Sequence, residues 1–194
     1  MLNLRKCGHK DLERYYSLLE MDFAKEEIIS KLSLHRALLN GSAELLVVYD
    51  EESSLEVAYA LVLTKNLYGY VLLKYMAVLP WYRGKGVGIA AMRLINKRYA
   101  DRQGIIAELT SFEDEDGSMI KGLRKFFARF GYVVVDSDYR IGGSPVELMV
   151  KPIKGTFEIE PVEHRIIRDF YTRVLNPFTM DKMIDIRPVK KQED

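Results

Sequence analysis

Arg83-Gly84-Lys85-Gly86-Val87-Gly88 stands between an apolar run, Val71 to Pro80, and a segment of helical periodicity that begins near Val87. A glycine-rich turn from a strand into a helix constrains both the fold and the chemistry. It aims backbone N–H groups and the positive end of the helix dipole at one point, and that geometry binds phosphate. Arg83 and Lys85 add mobile positive charge beside it. At ordinary residue frequencies the pattern Arg/Gln-x-x-Gly-x-Gly arises by chance ~0.1 times in a chain of this length, and ~0.01 times if Gly84 is required too. Two other phosphate loops are excluded. No Gly-Lys-Ser/Thr ends the segment, and glycines at 84, 86 and 88 do not make Gly-x-Gly-x-x-Gly.

The turn also orders the elements around it. Tyr70 to Val78 reads as a strand opened by Gly69, Gly86 to Arg102 as a helix with Val87, Ala91, Leu94 and Ile95 inward, and Ile105 to Thr110 as the next strand. Gly104 is the expected left-handed cap of that helix. A strand–helix–strand unit of this length implies a parallel crossover. Upstream, Leu2 to Cys7 reads as a strand and 11–22 as a helix with Leu12, Tyr15, Tyr16 and Leu19 on one face. Residues 25–39 read as a second helix ended by Asn40-Gly41. Glu44 to Tyr49 and Val57 to Thr64 read as strands joined by the polar turn 50–54. Downstream, the spacing of Ile120, Leu123, Phe127 and Phe130 predicts a helix over 118–130 capped by Gly131. Tyr132 to Asp136 and Glu147 to Val150 then form a closing antiparallel pair, with Gly142-Gly143-Ser144-Pro145 in the connection.

The run Tyr75-Met-Ala-Val-Leu-Pro-Trp-Tyr-Arg-Gly-Lys-Gly-Val-Gly88 resembles the acyl-CoA-binding motif of the GNAT superfamily of N-acetyltransferases, with Val78, Pro80, Arg83, Gly86 and Gly88 matching. Phe126-Phe127-Ala-Arg-Phe-Gly131-Tyr132 is similar to the family's Phe-Tyr-x-x-x-Gly-Phe segment, and the two come in the family's order. The resemblance covers roughly residues 1–150. It implies an α/β fold of the α+β kind: a central, mostly antiparallel mixed sheet with one parallel pair, flanked by helices. It also implies acetyl-CoA as co-substrate and an amine as acceptor. Carried over residue by residue, it puts the CoA pyrophosphate on Arg83, Gly84, Lys85, Gly86, Val87 and Gly88. The pantetheine arm lies along Met76, Ala77 and Val78, with the N–H of Met76 on the thioester carbonyl. Ser118 stands nearest to where the family often has an asparagine that bonds the pantetheine; its other reading is a helix N-cap.

The resemblance is incomplete where proton transfer is concerned. Phe127 stands where the family often has a tyrosine that protonates the leaving thiolate, and it has no proton to give. Leu72 stands where some relatives carry a glutamate. Glu108 is the candidate base, matching a strand position where some family members have a working glutamate. Its alternative reading is a structural carboxylate paired with a nearby cation. The run Glu113-Asp114-Glu115-Asp116 is expected near the acceptor side, as an attractor of cationic amines or as solvated loop.

Residues 151–194 lie outside the resemblance and read as an extension with one amphipathic helix at about 161–175. Its stripe of Ile166, Ile167, Phe170, Tyr171, Val174 and Leu175 packs on the chain's own domain or on a dimer partner. The 194 residues carry a net charge of +1, which argues for neither nucleic acid nor membrane as partner. Cys7 is the only cysteine and the three histidines lack ligand spacing, so no disulfide and no metal are expected. A quickly charged start and the lack of a long apolar stretch predict a cytoplasmic protein. Two functions remain: an N-acetyltransferase acting on a small molecule, amino acid or peptide, and a non-catalytic acyl-CoA-binding module of the same fold.

Overall fold

The computed structural model describes residues 1–110, 117–135, 139–155 and 162–186. The acidic run 113–116 and the tail 187–194 lie outside them. The elements run β1 (Leu2–Cys7), α1 (Leu12–Asp22), α2 (Lys31–Leu39), β2 (Ala43–Asp50), β3 (Glu56–Leu63), β4 (Tyr70–Val78), α3 (Val87–Arg98), β5 (Gly104–Thr110) and α4 (Ser118–Ala128). They continue with β6 (Val133–Val135), β7 (Tyr139–Ile141), β8 (Ser144–Pro152), α5 (Val162–Val174), α6 (Pro177–Met183) and β9 (Ile184–Ile186). The strands follow the order β1-β2-β3-β4-β5-β8-β7-β9, with β6 also paired to β8. Among the described residues every pairing is antiparallel except β4 with β5.

Side chains alternate across the sheet and feed two cores. On one face Leu45, Val47, Leu61, Leu72 and Ile106 pack under α1, α2 and α5. On the other, Leu46, Val62, Val71, Leu73 and Ile105 pack with Met92 and Ile95 of α3 and Phe127 of α4. The stripe Ile166, Ile167, Phe170, Tyr171, Val174 and Leu175 is buried in the first core. The helix at 162–174 is followed by α6 and β9, neither of which the periodicity shows, and β9 pairs with β7.

Four expectations change. The second helix is shorter: Lys25–Glu27 is a single 3-10 turn, and α2 starts after Ser30, whose hydroxyl accepts from the Ser33 N–H. Gly104 is no left-handed cap. It opens β5, where a Cβ would sit 2.7 Å from both the Lys151 carbonyl and the Tyr70 ring, so the close approach of two neighbours requires the glycine. Gly142-Gly143 alone form the β7–β8 turn, at φ +54 and +88, and Ser144-Pro145 begin β8. The cap of α4 is Gly117, with Ser118 the first helical residue, so Ser118 is no N-cap.

Candidate active site

β4 carries a bulge that creates the site. Its register with β3 passes from Leu73 opposite Val62 to Tyr75 opposite Leu61, which leaves Lys74 as the extra residue. The alternation flips there: Leu72 and Tyr75 share one core although an even step does not separate them, while Leu73 and Met76 face the other. Bulges bend a strand and end its pairing. The parallel pairing of β4 with β5 runs from Tyr70–Gly104 to Leu73–Ala107 and goes no further among the described residues. Beyond Leu73 the two strands no longer pair, and this unpaired stretch is the gap between β4 and β5.

The main chain of β4 faces this gap at two residues. The Leu79 N–H donates to the Val57 carbonyl at 2.9 Å, and Val78 lies opposite Ala58, so Val78–Ala58 is a non-hydrogen-bonded pair. Met76–Ala60 is the next such pair along the register. The N–H and C=O of Met76 and Val78 therefore point away from β3, and those of Ala77 toward it.

At the end of β4, Pro80–Tyr82 forms a 3-10 turn, and Gly84 and Gly86 take φ +74 and +77. Gly86 is the N-cap of α3, and its carbonyl accepts from Ile89 and Ala90. The N–H groups of Val87 and Gly88 precede those first bonds, so the helix does not use them. Arg83 is not the mobile charge the sequence suggested. Its Nε donates to the Val78 carbonyl at 2.9 Å, and its Nη2 to Asp22 at 2.5 Å. The other Asp22 oxygen accepts the Tyr59 hydroxyl at 2.8 Å. Arg83 thus ties the end of β4 to the end of α1, and Lys85 is left as the charge nearest the turn, its Nζ 5.9 Å from the Tyr82 ring centre. Lys85→Ala is therefore expected to weaken acetyl-CoA binding by up to about 1 kcal/mol, roughly fivefold in Kd, and to flatten its dependence on salt. Arg83→Ala should lower the Tm of the free protein and leave the salt slope of binding unchanged. Isothermal titration at two ionic strengths reads the affinities and salt slopes and a thermal scan reads the Tm; equal salt slopes for Lys85→Ala and wild type would count against the role of Lys85.

Glu108 lies one step past the last β4–β5 pair. It is closed in: Glu108 and Lys74 side chains are each 1% exposed, with Lys74 Nζ 2.8 Å from one carboxylate oxygen. The hydroxyls of Tyr139 and Tyr171 donate to it at 3.0 and 2.8 Å. Burial beside this carboxylate holds both tyrosine pKa values well above the usual phenol range. The alternative reading of Glu108, a carboxylate paired with a nearby cation, is what the side chains form. Sequence reasoning missed Lys74, Tyr139 and Tyr171, which come from the bulge, a three-residue strand and α5. Phe127 is buried edge-on to Tyr132, with ring centres 5.1 Å apart, and packs in the core as its type suggests. Tyr75 is fully buried, and its hydroxyl accepts from the Ile29 N–H at 2.9 Å and donates to the Glu27 carbonyl at 2.8 Å.

Residues 41–134 match the family model described as acetyltransferase (GNAT) domain. No curated protein matches the sequence. Among solved structures, a GNAT-family protein from Bacteroides thetaiotaomicron is 18% identical, covering 88% of this chain and 96% of its own, with TM-score 0.68. NAA60 of Arabidopsis thaliana in complex with acetyl-CoA is 15% identical, covering 80% and 100%, with TM-score 0.59. The dodecameric spermidine N-acetyltransferase of Vibrio cholerae is 13% identical, covering 78% and 94%, with TM-score 0.60. The architecture is the GNAT fold: a mixed α/β sheet with a parallel β4–β5 pair and helices on both faces.

Proposed function

We infer from the GNAT acetyltransferase domain at residues 41–134 that this chain is an acetyl-CoA-dependent N-acetyltransferase, transferring acetyl directly to a primary amine of a small molecule, amino acid or peptide. The observation that carries the reading is the free edge of β4. The gap offers the N–H and C=O of Met76 and the N–H of Val78, whose carbonyl Arg83 already holds, to a ligand that can pair like a strand, which is what the two amides of a pantetheine arm do. The turn at Gly84–Gly88 then receives the pyrophosphate on its N–H groups, with Lys85 beside it. A thioester carbonyl at the Met76 N–H is polarised as its oxygen gains charge, a contribution typically worth about 3 kcal/mol. The amine attacks the carbonyl carbon, the C–S bond breaks, and the thiolate leaves. No side chain among those named for this site protonates it, because Phe127 is apolar, so water supplies that proton. Among the described residues no helix is long and apolar enough to cross a membrane.

Acetyl-CoA at a hundred times its Kd should stabilise the chain by about 2.7 kcal/mol, roughly 5–10 °C in Tm for a chain of this size. No shift at millimolar acetyl-CoA would defeat the donor assignment. Phe127 in place of a proton donor favours a second reading, a module that binds acyl-CoA without turnover. Thiol release from acetyl-CoA across a panel of amines separates the two: stabilisation without release on any amine selects the module.

A further inference from the structure

Glu27 is buried, 8% exposed, on the segment between α1 and α2. The segment is held against the unpaired stretch of β4 and β5. Tyr75, next to Met76 on β4, bonds both its Glu27 carbonyl and its Ile29 N–H. The Phe23 ring lies 5.0 Å from the Tyr75 ring. A Cβ at Gly142 would sit 2.7 Å from the Glu26 Cβ, so the β7–β8 turn closes on the segment as well. From this mount the Glu27 carboxylate reaches β5, where the Thr110 hydroxyl donates to Oε2 at 2.7 Å. The Ala24 N–H donates to Oε1 at 3.2 Å. Continuing from Leu73–Ala107, with Lys74 counted as the extra residue of the bulge, puts Leu109 level with Met76 and Thr110 level with Ala77 across the gap.

Among the described residues, the buried carboxylates Glu27 and Glu108 on this face differ in one respect. Glu108 has a cation, Lys74, and two hydroxyl donors. Glu27 has only neutral donors, and among the described residues no lysine, arginine or histidine forms an ion pair with it. Burying a carboxylate costs several kcal/mol unless a cation pairs with it. A rigidly mounted anion without a cation, held one residue along from the level of the Met76 main chain that would polarise a thioester, has the chemistry of a cation receptor.

We propose that Glu27 receives the acceptor as its ammonium and takes the proton that must leave before attack. This deepens the acetyltransferase reading and depends on it. The ammonium gives one proton to the Glu27 carboxylate. The freed nitrogen lone pair forms the C–N bond at the thioester carbonyl carbon. The C–S bond breaks with its electron pair going to sulfur. The second nitrogen proton goes to the thiolate, through water, and Glu27 returns its proton to solvent. The substrate class is a primary alkylamine that is charged in solution, rather than a weakly basic aromatic amine.

The test needs no turnover. CoA-loaded protein is titrated calorimetrically with an alkyl diamine, an amino-acid amide, a short peptide with a free N-terminus, and aniline. At least one of the three alkylammonium probes should bind the wild type. Glu27→Gln should weaken that binding at least about 30-fold. Glu27→Asp, which keeps the charge and shortens the reach, should fall between, and the Tm shift given by CoA should be unchanged in both. Equal affinity in wild type and Glu27→Gln overturns the proposal and leaves the CoA site intact. Tighter binding of aniline than of any alkylammonium, or no binding by any of them to a protein that CoA stabilises, does the same. Absence of a CoA shift in the wild type removes the donor reading first, and this proposal with it. If Glu27→Gln does not fold, unchanged amine affinity in Glu27→Asp is the overturning result.

Discussion

Replacing Glu108 with glutamine is expected to cost about 3–5 kcal/mol of folding stability, or roughly 6–20 °C in Tm for a chain of this size. The loss comes from Lys74. Its ammonium is as buried as the carboxylate, and Glu108 is its ion-pair partner at 2.8 Å. A glutamine amide can accept a bond there but brings no charge, so the ammonium stays buried and uncompensated. Lys74→Met should be costly for the mirror-image reason, since the carboxylate would keep only the tyrosine hydroxyls. The double variant Lys74→Met/Glu108→Gln should recover most of the stability, because removing both charges also removes their desolvation cost. Chemical denaturation of the four proteins in a double-mutant cycle measures a coupling expected at about 2 kcal/mol or more. Near-additive effects would mean that the two side chains do not act as a pair. A single Glu108→Gln that keeps its Tm and binds acetyl-CoA normally, yet loses turnover, would instead restore the catalytic-base reading.

The partners of this ion pair explain why part of the site is not legible in the sequence. β4, the glycine turn and α3 are local features: an apolar run, glycines at the turn, then apolar residues at helical spacing. Tyr70–Val78 emerges with the bounds its residues suggest. The partners of Glu108 are not local. Lys74 sits in an apolar run and faces Glu108 only because the bulge gives β4 one residue more than β3 opposite it. Tyr171 looks like one more member of an apolar helical stripe, and nothing in its spacing shows that its hydroxyl reaches β5. β8 extends beyond the expected Glu147–Val150 at both ends; Pro145 argues against a strand interior but is tolerated near the strand start, where Arg140 of the short strand β7 lies opposite it. Gly104 carries a signal with two meanings. A glycine after a helix suggests a left-handed cap, whereas this one makes room for a neighbouring carbonyl and ring. Glu27 gave no signal, since a glutamate two residues past a lysine in a charged stretch reads as solvated surface until Tyr75 and Thr110 bury it.

Gly86→Glu is expected to abolish the stabilisation by acetyl-CoA while leaving the free protein folded. Gly86 has φ +77, and a Cβ there would meet no atom within 4 Å. Space is therefore available, and the cost to the free protein is the left-handed conformation itself, about 1–2 kcal/mol for a residue with a side chain. The new carboxylate stands at the N-cap of α3, where it takes the N–H groups and the dipole that the pyrophosphate needs and repels its charge. The stabilisation of about 2.7 kcal/mol expected at a hundred times Kd should fall to nearly zero. Gly88 behaves differently. Its Cβ would lie 3.5 Å from Val78 Cγ2 and 3.8 Å from the Phe126 ring, which are ordinary contacts. Gly88→Ala should keep the Tm of the free protein and most of the acetyl-CoA shift. Gly88→Glu puts a carboxylate against those apolar groups and should lose stability before any ligand is added. Thermal scans of the variants with and without acetyl-CoA read all of this. A full acetyl-CoA shift in Gly86→Glu would mean that the ligand does not touch the turn at all, and the donor site would then have to be sought elsewhere on the chain.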